Sequence, residues 1–450
     1  MKRGFLNSSR ANARPVGSPA APVVIPNLGT GKYSIGKQNV EVPEGYESEF
    51  VHIERDPRSG SFPGGITYTT APFVDAAPGE PTTECIFHPG SKEVLMDLPG
   101  FSQPMVKRVG RKSPIRVKEV QGMGLGLFAS RGIKARELIF SERPLLVAAQ
   151  LLSTRVPSHF TREQQLQYSL DQLEKTLAFA VDRMSDEDKA AYMALKNSHL
   201  EDGSGPLVGI MRTNGLGISG LRPEITDGSP AGICCGVCNM ISRLNHSCSP
   251  NVITQWSMLK FSFQVFAVRD IAADEELTYR YINIEASTAQ RNEKLKPYDF
   301  VCACSSCKDP ESDARRADLA ESDTPTVKEW LSDDEPHANA RVLDECRRQM
   351  ELLEREGMQA AYRYFGVSVT GFTVCVASGD AESASEWARK LARIRWVEEV
   401  PKDIESFLDP KSRAYKAHPM WLKRIDGATM EKDVMVELAA IGIGSVTLED

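Results

Sequence analysis

The sequence predicts an α+β protein in which many short strands come before a separate run of helices. Segments that alternate apolar and polar residues, such as Ile115–Val120, and short apolar runs at Val252–Thr254, Phe261–Val268 and Glu276–Tyr281 read as strands. Between them, Thr161-Arg-Glu-Gln164 has the form of a capping box, and Leu166, Leu170, Leu173 and Leu177 follow on one helical face. After Lys308 the period turns helical. Leu343, Cys346, Met350 and Leu353 share a face that ends at Gly357, and Trp387, Leu391 and Ile394 share another after Gly379-Asp380. Strands and helices that segregate along a chain instead of alternating one for one point to an α+β arrangement.

Composition narrows the function classes. A chain of 450 residues with 41% hydrophobic content can bury two or three domain cores. No apolar run approaches the ~20 residues that span a bilayer, so no membrane association is expected. A net charge of -7 argues against direct nucleic-acid binding and suits a protein that receives basic, lysine-bearing peptides. Cys234, Cys235, Cys238, Cys248, Cys302, Cys304 and Cys307 lie together while Cys85, Cys346 and Cys375 are scattered, unlike a secreted disulfide framework. The reducing nucleus or cytosol fits this usage.

Residues 1–40 hold no acidic residue and read as a disordered tail, since Gly4, Pro15, Gly17 and Pro19 interrupt the amphipathic helix a mitochondrial transit peptide would need. Residues 41–108 read as an irregular arm with short strands. Lys107-Arg108, Arg111-Lys112, Arg116 and Lys118 form a basic run, either a solvated linker or a nuclear-import signal. Ile115–Val120 reads as a half-buried strand leading into the turn Gly122-Met-Gly-Leu-Gly126, where missing side chains let a ligand approach the backbone. This is no dinucleotide fingerprint, because strand and not helix follows it. A helical insertion occupies about residues 150–232, its second helix opening at Ser185-Asp-Glu-Asp188, with loops at Gly203–Pro206 and Gly215–Gly220. It either shapes a peptide groove or simply packs on the core. The helical region at 309–450 reads as paired helices without a strong repeat signature.

Two stretches carry chemistry. Ser242–Asn251 crowds Asn245, His246 and Cys248 ahead of Pro250, and Cys302-Ala-Cys-Ser-Ser-Cys307 supplies three close thiols. Three thiols leave a tetrahedral zinc shell one ligand short, and Cys248 is the candidate for the fourth. A metal held this way ties the distal segment back onto the Asn-His bend. Cys235-x-x-Cys238 offers no second site, lacking a further Cys/His pair and sitting where a strand should lead into Asn245.

Arg243-Leu-Asn-His-Ser-Cys-Ser-Pro-Asn251, Glu275-Glu-Leu-Thr-Tyr-Arg-Tyr281 and the C-x-C-x-x-C tail resemble the SET-domain protein lysine methyltransferases, and Gly124-Leu-Gly-Leu-Phe-Ala129 matches that family's glycine-rich opening. The spacer Arg291–Tyr298 is similar to the SMYD-type branch, although its MYND finger is absent. The resemblance implies a β-clip SET domain over 109–308, a post-SET zinc knuckle at about 298–308, and one structural zinc on Cys248, Cys302, Cys304 and Cys307. It implies that Gly124, Leu125 and Gly126 line S-adenosylmethionine, that Asn245 and His246 bind its amino-acid and adenine parts, and that Phe300 packs on the adenine. Tyr281 would be the catalytic tyrosine, with Tyr279 its rival on spacing, and Tyr298 would line the lysine channel. Arg243 would brace the fold. The family often has glycine where Arg136 stands, so that turn is expected to differ.

Methyl transfer to an amine needs a neutral nitrogen held in line, which positioning and an apolar channel supply without a dedicated base. The substrates implied are lysine-bearing proteins, histone or non-histone, with the C-terminal helices walling the cleft or binding partners. The rival class is a catalytically silent SET-fold scaffold; a zinc-stabilised nucleic-acid binder is disfavoured by the acidic balance.

Overall fold

The computed structural model describes residues 53–424 apart from short internal stretches, the longest at 74–79, 106–112, 150–159, 226–231 and 394–401. The tail at 1–40, four cations of the basic run (Lys107, Arg108, Arg111, Lys112) and Ile394 lie outside the described residues. No helix among the described residues is long and apolar enough to cross a membrane.

The short strands expected before the glycine turn are present, and they build sheet. Strands β1 (Ile53–Asp56), β2 (Ser59–Ser61), β3 (Thr67–Ala71) and β4 (Thr83–Phe87) form an antiparallel meander, and helix α1 (Ser91–Met96) follows. β4 pairs in parallel with β8 (Leu146–Ala149), so the meander supplies four strands of a seven-stranded sheet in the order β1-β2-β3-β4-β8-β10-β9. Sequence periodicity could not show this, because the joining pair, Cys85 with Val147, spans a long stretch of chain.

β5 (Ile115–Val120) and β6 (Gly124–Ala129) form the predicted hairpin, with Gly122 and Gly124 both at positive φ in its turn. β5 is an edge strand: Val117 is exposed despite the alternation, and Arg116 and Lys118 both pair with Asp274. Just ahead of β7 (Leu138–Glu142), Arg136 has φ 74° and its N–H donates to the Ala267 carbonyl at 2.8 Å. The turn therefore keeps a glycine-like conformation with an arginine in it. Left-handed backbone costs an L-residue ~1–2 kcal/mol, and glycine's extra unfolded-state freedom offsets about half of that. Arg136→Gly is expected to raise stability by roughly 0.5–1 kcal/mol in urea denaturation. A lower midpoint would show that the arginine side chain outweighs its backbone strain.

In the insertion, helix α2 (Arg162–Asp182) starts with the predicted reciprocal capping box of Thr161 and Gln164, and Leu166, Leu170, Leu173 and Leu177 are buried. α3 (Asp186–Met193) is capped by Ser185. Between the two stretches expected to be loop lies a further helix, α4 (Pro206–Asn214), with Pro206 in its first turn where no N–H is needed. α2 and α4 pack their apolar residues with Tyr68, Ile86, Leu146 and Val237 of the large sheet.

β9 (Leu216–Ile218) and β10 (Cys234–Val237) complete that sheet, and Cys234, Cys235 and Cys238 are buried in it or beside it. β11 (Asn245–His246), β12 (Val252–Ser257), β13 (Ser262–Ala267) and β14 (Glu276–Tyr279) make two smaller sheets, β11-β14-β6-β5 and β12-β13-β7. The three sheets enclose one apolar core. The chain then runs through α5 (Thr288–Leu295) and α6 (Ser305–Lys308) into α7 (Ser312–Glu321), α8 (Val327–Leu331), α9 (Ala338–Arg355), α10 (Tyr362–Ser378), α11 (Ala381–Arg393) and α12 (Lys402–Leu408). Leu343, Cys346, Met350 and Leu353 are the buried face of α9, as their spacing requires, and Gly357 ends it at φ 65°.

Candidate functional site

The short parallel pairing of β11 with β14 sets Asn245 beside Thr278 and His246 beside Tyr279. Asn251 locks the crossing: its N–H donates to the Thr278 carbonyl, its Oδ1 accepts from the Thr278 N–H at 2.8 Å, and its Nδ2 donates to the Glu276 carbonyl and to Glu275 Oε1. The Ser247 N–H donates to the Tyr279 carbonyl at 3.0 Å. The Asn-His bend and the strand leading to Tyr281 are thus one hydrogen-bonded unit.

Gly126 explains its own residue type. A Cβ there would lie 2.7 Å from Glu276 Oε1 and 3.0 Å from Asn245 Nδ2, which are themselves hydrogen-bonded at 2.8 Å. The Asn245 amide also reaches the Leu125 carbonyl at 3.5 Å, while the Leu125 side chain is exposed on the hairpin. Gly124, Leu125, Gly126 and Asn245 therefore meet along one strip of β6 and β11.

Tyr281 lies just past β14. Its hydroxyl donates to the Leu244 carbonyl at 2.7 Å, and its ring stands 4.9 Å from Tyr298, 5.3 Å from His246 and 6.3 Å edge-on from Phe300. Tyr279, the rival by spacing, is 2% exposed and packs in the core between the sheets. Arg243 is held by the Asn239 side chain at 3.2 Å.

Against this aromatic cluster the sulfurs of Cys248, Cys302, Cys304 and Cys307 lie within 4.8 Å of one another. Cys248 Sγ is 3.9 Å from Cys302 Sγ and 3.6 Å from Cys307 Sγ. A tetrahedron with Zn–S arms of ~2.3 Å has sulfur-to-sulfur edges of about 3.8 Å, so the spacing fits a zinc shell made of four cysteine sulfurs. Hydrogen bonds from Cys248 and then Cys302 hold Cys304 below the ordinary thiol range and bring Cys307 down to about 6, whereas Cys248, bonded to Cys302 and its neighbours, is pushed up, as is Cys302 in spite of its bond to Cys248; two of the four sulfurs thus have thiolate character before any cation binds. Arg291 is buried beside it, its Nη2 3.6 Å from Cys307 Sγ, and offsets part of that negative charge.

Two groups of this site carried no local signal. Glu142 accepts the N–H groups of Asn239, Met240 and Ile241, each at 2.8 Å, and so fixes the turn leading into Arg243–His246; burial pushes its carboxyl up to about 7 although those donors pull it down. Arg316 of α7 donates to the Cys248 carbonyl at 3.1 Å and to the Ile284 carbonyl, and pairs with Glu356 at 2.9 Å. The helical region is joined to the strand segment at a second point, where Arg280, next to Tyr281, stacks on Tyr362 at 4.6 Å. These partners are far apart in sequence, and nothing around them distinguishes them from surface charges.

Comparison with known proteins agrees with this geometry. A family model described as "SET domain" matches residues 124–282, from the glycine hairpin to just beyond Tyr281. Over 347 residues the chain is 29% identical to the histone-lysine N-methyltransferase set5 of Schizosaccharomyces pombe, covering 71% of this chain and 96% of that protein. It is 42% identical over 78 residues to the histone-lysine N-methyltransferase SET5 of Meyerozyma guilliermondii, 17% of this chain and 16% of that one. With the human N-lysine methyltransferase SMYD2 it shares 28% identity over 170 residues, 34% and 39% of the two chains.

Proposed function

We propose that this chain, whose residues 124–282 match the SET domain, transfers methyl groups from S-adenosylmethionine to the side-chain amine of lysine in a protein substrate, histone or non-histone. The observation that carries the reading is Tyr281, its hydroxyl anchored on the Leu244 carbonyl at 2.7 Å inside a cluster of Tyr298, Phe300 and His246. When bound, S-adenosylmethionine supplies an electrophilic methyl group on a sulfonium centre.

The chain's residues do the rest. Gly124 and Leu125 offer backbone that a ligand can approach, Gly126 makes room for the Asn245 amide beside them, and Phe300 offers an aromatic face for the adenine. His246 contributes through its main chain, because both nitrogens of its ring are already engaged. Tyr298 and Tyr281 line the lysine channel, exclude water and so favour the neutral amine over the ammonium. The Tyr281 hydroxyl gives its proton to Leu244 and keeps oxygen lone pairs to orient the amine. Cys248, Cys302, Cys304 and Cys307 would hold one structural zinc that pins the segment carrying Tyr298 and Phe300 against the Asn-His bend. The helices after Lys308 would wall the substrate cleft or bind partners. The clustering of cysteines around one proposed metal site, in place of an evenly spaced disulfide framework, supports a reducing compartment, nucleus or cytosol.

The test is incubation with labelled cofactor and a cell lysate. Tyr281→Phe should lower labelling by roughly 10²-fold, the loss that mispositioning of reacting groups produces. Equal labelling by wild type and variant would remove Tyr281 from the mechanism. No labelling by either, with zinc retained, would favour the silent scaffold.

A further inference from the structure

We propose that the imidazole of His246 is a positioning residue that links the thiolate centre to Tyr281, so that the metal sets the place of the catalytic hydroxyl. The inference rests on the methyltransferase reading and gives this side chain a task separate from cofactor binding. The His246 ring is 3% exposed. Its Nδ1 accepts the main-chain N–H of Tyr281 at 3.0 Å, and its Nε2 lies 3.4 Å from Cys248 Sγ.

A peptide N–H can only donate, so Nδ1 must present its lone pair, and the proton of the neutral ring is assigned to Nε2. Nε2–H then donates to the Cys248 sulfur. A metal-bound thiolate is a full acceptor for that bond, whereas a thiol is a weak one. With the metal in place the ring is clamped between two fixed points, Cys248 on one side and the Tyr281 backbone on the other. Tyr281 is held at three places: its N–H on His246, its hydroxyl on Leu244, and its ring against Tyr298. Losing the first leaves the other two to define where the hydroxyl stands. Such outer-sphere histidine contacts orient metal ligands elsewhere, and here the same contact extends to a reacting group.

Arg291 provides an internal comparison, since it also reaches a sulfur of the centre, Cys307 at 3.6 Å, but is anchored on the far side by Ala286 and Thr288. The experiment uses the full chain carrying 3-fluorotyrosine, in which the resonance lost in Tyr281→Phe identifies Tyr281. Exchanging zinc for cadmium lengthens the metal–sulfur bonds. It should move that resonance in wild type and in Arg291→Lys, and move it much less in His246→Ala, where only the ring contacts with Tyr298 and Phe300 remain. With cobalt in the site, His246→Ala should shift the sulfur-to-metal charge-transfer band to lower energy, because a thiolate that loses a hydrogen-bond donor becomes a better electron donor.

His246→Gln retains an N–H donor and should restore both signals. In turnover, His246→Ala should lower kcat by about 10-fold or more, as changes to outer-sphere partners do, with KM for S-adenosylmethionine little changed. The proposal is overturned if the Tyr281 resonance follows the metal in His246→Ala as in wild type. It is also overturned if the cobalt band is unchanged, or if only the cofactor KM rises. Should wild type transfer no methyl, the functional reading fails by itself, while the fluorine and cobalt measurements still decide the link.

Discussion

Replacing Glu356 with alanine is expected to cost about 3–5 kcal/mol of stability, the range for removing one partner of a buried ion pair. Glu356 follows α9 and is almost wholly buried. Its carboxylate takes Arg316 Nε at 2.9 Å, Arg315 Nε at 2.6 Å and the Ser312 hydroxyl at 2.6 Å, and its carbonyl takes the Ser249 hydroxyl at 2.6 Å. Without it the Arg316 guanidinium, with no exposed side-chain surface, keeps only neutral partners, the Ile284 and Cys248 carbonyls and the Ser312 hydroxyl at 3.3 Å. An uncompensated buried charge is what makes such deletions costly; the pair itself adds much less net stability. Glu356→Gln keeps an acceptor oxygen and should fall between. Chemical denaturation is the measurement, and a Glu356→Ala midpoint within about 1 kcal/mol of wild type, the value of an exposed pair, would mean that the group is hydrated in solution. Because Arg316 holds the Cys248 carbonyl and Gly357 packs against Ser249, the same variant should release zinc faster to a chelator.

Cys248→Ser is expected to bring zinc content well below one per chain. Cys302, Cys304 and Cys307 would keep three sulfurs, and a hydroxyl does not deprotonate as readily or bind as softly as a thiol. Binding free energy for structural zinc is on the order of 10–16 kcal/mol and couples directly to folding. Loss of one ligand should therefore exceed the ~10–100-fold weakening that follows changes in outer partners. The local consequence is loosening of α6, since Ser306 and Ser249 are hydrogen-bonded across the same junction. Tyr298 and Phe300 would lose their seat beside Tyr281, and methyl transfer should fall with the metal. Metal analysis of purified protein checks the first part, and unchanged stoichiometry would eliminate Cys248 as a ligand.

Where adjacent residues decide the outcome, the amino-acid order was enough. Thr161 and Gln164 cap α2 because they stand three apart, and the leucine stripe behind them buries because its period is that of the helix. Gly122 and Gly124 turn the β5–β6 hairpin because only glycine enters left-handed backbone freely. Thiol chemistry alone asked for a fourth ligand, and Cys248 does meet the other three. Two local readings were completed only by a distant partner. The short strands expected before the glycine turn have their backbone donors and acceptors taken up by a pairing that ends on β8. The loop expected at Gly203–Pro206 leads into α4, whose start is secured by Glu174 of α2, which accepts the N–H groups of Leu207 and Val208.

Short-range order thus specified the caps, the hairpin, the helical faces and the three close thiols that call for a fourth. The fold alone buried Tyr279 in the core and left Tyr281 among aromatic rings, turned the His246 ring toward Cys248, and matched Glu142 and Glu356 to their donors. The reason is the range of the forces involved. Helix caps and turns depend on backbone geometry over a few residues, whereas burial and the pairing of a charge depend on which remote segment the chain brings to it.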